Sequence, residues 1–193
     1  MKCFGAIALD IFFLVLLISG LQESIALPLP LHLIKGGNWQ FLTHISLLLT
    51  IIYVGLNLFS INRKLLKNFH HLCANLEFLV TVAYWGMKFL YPQMLNGDSF
   101  AVSLGLDLKI HLFPYIYMLL DGKGHISLKR SAMFSAVAIS LYWGYVEYLY
   151  WCNSGDGVSR FSYPFMGNGL RPQWMFGFFA VSTVNWIVEQ VFH

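Results

Sequence analysis

Apolar residues gather in six blocks along the chain, at 3–21, 39–60, 72–91, 99–120, 131–152 and 173–192, separated by shorter polar or Gly- and Pro-containing stretches. Each block has about the 20 residues an α-helix needs to cross a bilayer. The pattern predicts an all-α, polytopic membrane protein: a six-helix transmembrane bundle over 1–193, with no length left for a soluble domain. Within the second block Thr43, Ser46, Thr50, Tyr53 and Asn57 recur every three or four residues, so one polar stripe should turn inward. The sixth block repeats this with Ser182, Asn185 and Glu189. The first block has a rival reading as a signal peptide cut near Ser24-Ile25-Ala26, but Asp10 is unusual inside a signal's apolar core.

The fourth block carries the most informative exceptions. Asp107, His111 and Tyr115 are spaced by four on one predicted helix, so a carboxylate and a phenol can flank the imidazole. A charge at the centre of a membrane helix costs roughly 2.5–3.5 kcal/mol, so these groups should face a protected interior. Pro114 has no amide proton for the Ile110 carbonyl and should bend the helix there. A histidine satisfied by its neighbours in a packed bundle is the alternative to a functional one, as interhelical packing is the alternative for the hydroxyls of the second block.

Composition agrees with a membrane setting: 58% of the 193 residues are hydrophobic, 11% are charged, and mean hydropathy is +0.63. The net charge of +3 does not point to nucleic acid, because the basic residues cluster at block ends. Lys2, Arg63, Lys64, Lys67, Lys123, Lys129 and Arg130 fall on one side and Lys35, Arg160 and Arg171 on the other, which predicts both termini in the cytosol. The His70–His71 pair follows the first basic cluster and reads as interfacial and solvated. Cys3, Cys73 and Cys152 form no CxxC spacing and indicate neither a zinc site nor a disulfide framework. No cofactor is implied.

A hydroxyl on one span and an imidazole on another are the parts of a nucleophile and a base. Their heights are the difficulty: Thr43 lies about one turn inside its span, while His111 lies twelve residues past Ser99, a mismatch of about 10 Å that shrinks if the fourth helix starts near Leu104. His44 is the weaker base for Thr43, since adjacent helical residues diverge by about 100°.

Gly-Gly-x-Trp-x-Phe-Leu-Thr at 36–43, the stretch from His111 to Asp121, and Tyr163-Pro164-Phe165 together resemble the family of androgen-induced membrane proteins, in order over nearly the whole chain. The chain departs from better-known vertebrate members in placing proline three rather than five residues after the histidine. The resemblance implies a multi-span threonine hydrolase of fatty acid esters of hydroxy fatty acids, in the endoplasmic reticulum or plasma membrane, acting on a lipid that enters from the bilayer. It implies Thr43 as nucleophile and His111 as its partner, with Asp121 where the family carries an acid. Asp107 and Tyr115 are further support by spacing. Amides near Gly36-Gly37 are the candidate oxyanion donors. Two readings of other classes stand beside it: a non-enzymatic adaptor or transporter, and a haem-binding electron carrier with His44 and His111 as axial ligands.

Overall fold

The computed structural model describes residues 4–59, 62–92, 103–158, 160–167 and 170–192. Cys3 and the turn at Asn96-Gly97-Asp98 lie outside them. The described chain is all-helical: α1 (Phe4–Ile25), α2 (Leu42–Leu58), α3 (Arg63–Leu90), α4 (Leu104–His111), α5 (Phe113–Asp121), α6 (Leu128–Asn153) and α7 (Arg171–Phe192). Two of these helices, α1 and α7, are long and apolar enough to cross a membrane, and α2 is a shorter apolar helix.

Local chemistry sets the ends of the helices. The Asn62 side chain accepts the Lys64 and Leu65 amides and starts α3, and Ser103 and Ser127 cap α4 and α6 through the Leu106 and Arg130 amides. The fourth block is not one helix. It breaks at Leu112, and Pro114 stands in the first turn of α5, where a missing amide proton costs nothing.

Helix α3 is the axis of the fold. One apolar cluster joins it to α1, α2, α4 and α5 around Leu17, Leu47, Val54, Cys73 and Met118, and a second joins it to α2, α6 and α7 around Leu79, Ile139, Trp143 and Met166. At the crossing of α1 and α4, a Cβ on Gly20 would come within 2.9 Å of Lys109 Cβ, so only glycine permits this approach. The polar stripe of α2 does turn inward, with Ser46, Thr50, Tyr53 and Asn57 all buried.

The histidine pair is a correction. His70 and His71 are not solvated: each is 1% exposed, because the basic stretch before the third block is the capped first part of α3, packed under α5 and α7. Their face was already in the spacing Leu66, His70, Ala74, Glu77, which is helical and buried throughout.

Candidate functional site

The Gly-Gly-Asn-Trp-Gln-Phe stretch builds the entrance to α2. Gly36 makes room for the Gln40 side chain, which folds back onto the Leu33 and Gly37 carbonyls, and Gly37 has a φ of 65°, where a side chain would be strained. The Gly37 amide bonds the Leu33 and Ile34 carbonyls and is therefore not free to meet an oxyanion. Trp39 and Phe41 stand edge-on around the His44 ring.

Thr43 lies in the first turn of α2, where helix amides lack partners within the helix. The Tyr163 phenol covers that turn. It accepts the Leu42 amide at 3.2 Å, and loss of water around it raises its pKa above the ordinary phenol value, so it keeps its proton. Tyr142 donates to the Gln40 carbonyl at 3.0 Å and closes the floor beneath it.

Next to Thr43, His44 points the other way, toward α1. Its Nδ1 meets the Asn38 carbonyl at 2.7 Å, which can only accept, so Nδ1 carries the proton and Nε2 accepts from the Ser24 hydroxyl at 2.6 Å. Both groups are buried. This serine–histidine contact was not anticipated from the sequence, since the two residues are 20 apart and Ser24 reads as part of a cleavage site. With both nitrogens engaged, His44 has none to offer a haem iron.

His111 ends α4. Its ring lies flat on Tyr84, with centroids 3.5 Å apart and planes within 6°. Its Nδ1 is buried and has no hydrogen-bond partner. Asp107 Oδ1 is 3.9 Å away, because that carboxylate is held by the Tyr84 hydroxyl at 2.6 Å and by the Lys88 ammonium. Helix α4 begins at Leu104, five residues later than the 99–120 reading, which removes about 7.5 Å of the expected height mismatch with Thr43. Among the described residues no hydrogen bond joins Thr43 to His111.

The remaining expected residues stand elsewhere. The Tyr115 hydroxyl donates to Asn185 Oδ1 at 2.8 Å, turned away from His111 by the break at Leu112. Asp121 binds the Tyr53 hydroxyl, the Asn57 amide at 3.1 Å and Lys123 at 2.7 Å. Since Tyr53 is ten residues along α2 from Thr43, Asp121 is about 15 Å from it along the helix. A third polar cluster, His70, His71 and Glu189, brings one ligand atom from each side chain within 4.8 Å of the others, a grouping that could hold a metal ion.

Comparison with known proteins agrees with the resemblance drawn from the motifs. The chain is 28% identical over 196 aligned positions to the UPF0641 membrane protein YHR140W of Saccharomyces cerevisiae, covering 86% of this chain and 80% of that protein. No solved structure matches significantly. The FAR-17a/AIG1-like protein family matches residues 11–192, from the second turn of α1 to the end of α7, and this chain belongs to that family of membrane proteins.

Proposed function

We propose that the protein is an intramembrane hydrolase that cleaves fatty acid esters of hydroxy fatty acids, with Thr43 as nucleophile and His111 as its base. The single observation that most supports this is the setting of Thr43, in a helix first turn whose Leu42 amide is capped by a phenol that keeps its proton. The positive end of a helix and a phenol that can donate its proton are what a developing oxyanion needs. The buried, unpartnered Nδ1 of His111 supports the second assignment.

In this reading Thr43 Oγ1 attacks the ester carbonyl carbon while its proton passes to His111, and the carbonyl electron pair moves onto the oxygen facing Tyr163. Collapse breaks the ester C–O bond, and the leaving hydroxy fatty acid takes the proton from His111. Water, deprotonated by His111, then attacks the acyl carbon; the bond to Thr43 Oγ1 breaks, the fatty acid is released and Oγ1 takes the proton back from His111. Asp107 and Tyr84 orient His111; Tyr115 and Asp121 support the helices that carry it. Six membrane crossings, counting α4 and α5 as one, with both termini in the cytosol, bring Thr43 to the non-cytosolic half, reached by lipid from the side.

A second reading has a specific observation in its favour: Ser24 and His44 already form a hydroxyl–imidazole pair at 2.6 Å, oriented by the Asn38 carbonyl. Hydrolysis of such an ester by purified wild type, Thr43→Ala, His111→Ala and Ser24→Ala proteins separates the two. Loss in the first two variants with activity kept in Ser24→Ala is expected. The reverse pattern moves the chemistry to Ser24 and His44, and wild-type rates in all three remove it.

A further inference from the structure

The cluster of His70, His71 and Glu189 lies outside the chemistry described so far. His71 stands thirteen residues before Tyr84 on α3, about 20 Å from the His111 ring along the axis. All three side chains are buried, at 1%, 1% and 3% exposure. His70 Nε2 meets the Met118 carbonyl at 2.9 Å and His71 Nε2 meets the Gly124 carbonyl at 2.9 Å. A carbonyl only accepts, so each Nε2 carries a proton and each Nδ1 of the neutral rings presents a lone pair. His71 Nδ1 aims its lone pair at Glu189 Oε2, 2.8 Å away, which has only lone pairs of its own when ionised. His70 Nδ1 and Glu189 Oε1 are buried with no hydrogen-bond partner at all.

A buried set of acceptors without donors is unfavourable unless a cation stands among them. One proton between His71 and Glu189 satisfies that pair, yet it leaves His70 Nδ1 and Glu189 Oε1 without a donor. Nearby Lys123 does not fill the role, since it is paired with Asp121 at 2.7 Å. The two Nε2–H bonds to backbone carbonyls are also the arrangement that orients metal-bound histidines and makes their free nitrogen a better ligand.

We propose that His70, His71 and Glu189 form a binding site for a divalent transition-metal ion, zinc foremost, that ties α3 to α7. Two imidazoles and a carboxylate make a borderline-soft, singly anionic donor set, with the second carboxylate oxygen or a water completing four ligands. Around zinc with bonds of about 2.0–2.1 Å, tetrahedral ligand atoms are about 3.3 Å apart. The 2.8 Å His71–Glu189 contact would open by about 0.5 Å and the widest separation, at most 4.8 Å, would close by about 1.5 Å, movements within reach of side-chain torsions.

The test uses tag-free, full-length protein purified in detergent, loaded with zinc or with cobalt(II) and desalted. Wild type is expected to retain about one zinc per chain and to show the visible absorption of tetrahedral cobalt, with affinity falling tenfold or more in His70→Ala and in Glu189→Gln. Wild type that retains no more metal than Glu189→Gln overturns the assignment. Should that variant fail to fold, the wild-type cobalt spectrum decides alone: absence of tetrahedral bands overturns the site.

Discussion

His111 is fixed by what lies beneath it rather than by what it bonds. Tyr84 supplies a flat platform at 3.5 Å and uses its hydroxyl to hold Asp107, so ring stacking and carboxylate placement come from one side chain. Tyr84→Phe keeps the platform, while Tyr84→Ala removes it. Because a misplacement of about 1 Å can cost about 100-fold in rate, ester hydrolysis should fall far more in Tyr84→Ala than in Tyr84→Phe. Equal losses in the two would mean that the hydroxyl, not the stack, matters. Asp121 makes the opposite case. At about 15 Å from Thr43 it ties Tyr53, Asn57 and Lys123 together, so Asp121→Asn should cost about 1–3 kcal/mol in stability and leave the rate per folded molecule nearly unchanged. Thermal unfolding in detergent, read beside hydrolysis, checks both halves. The four-residue spacing of Asp107, His111 and Tyr115 made a triad legible in the sequence, but spacing assumes an unbroken helix, and the break at Leu112 sends Tyr115 to Asn185. Ser24 was not legible, since no local pattern relates it to His44.

Among the helices, α1 and α4 must approach closely for Ser24 and His111 to share one end of the bundle. Gly20 sets that approach, and Lys109 fastens it by donating to Glu23 at 2.5 Å and Ser19 at 3.2 Å. A leucine at Gly20 would have to push Lys109 and Ile110 aside. Gly20→Leu is expected to lose about 1–3 kcal/mol of stability, whereas Gly55→Ala, with nothing within 4 Å of its added Cβ, should be close to neutral or stabilising within a helix. Equal melting temperatures for the two variants would show that the crossing tolerates separation. The apolar blocks made the helical character of the chain legible by their length, although in α7 the polar positions Ser182, Asn185 and Glu189 are the buried ones and apolar residues such as Phe176 and Ile187 face outward. The first turns of α3 were not legible as helix by hydropathy, since Arg63, Lys64, Lys67, His70 and His71 lower the average. The cap at Asn62 and the buried spacing from Leu66 to Glu77 carried the signal instead.

At the scale of the whole molecule, the outer surface is apolar in a way water does not favour: Phe12, Val15, Leu141, Phe176 and Ile187 are each 57–71% exposed on three different helices. A bilayer is the solvent that matches this surface, and the basic ends then decide which way the bundle faces. Arg63 and Lys64 start α3, and Lys129 and Arg130 start α6, at one end. Helix α6 runs from there to Asn153, so exposed Cys152 lies at the other end, beside the loop that carries Arg160 and Tyr163 over Thr43. With buried Cys73 retained and Cys3→Ser introduced, Cys152 becomes a single reporter of the Thr43 end. A membrane-impermeant maleimide should label it only from the non-cytosolic side of sealed vesicles. Exposed Lys64→Cys in a Cys3→Ser, Cys152→Ser background should be labelled only from the cytosolic side. Labelling of both positions from one side would mean that α3 and α6 do not cross the bilayer, and the lateral route proposed for a lipid to Thr43 would fail with them.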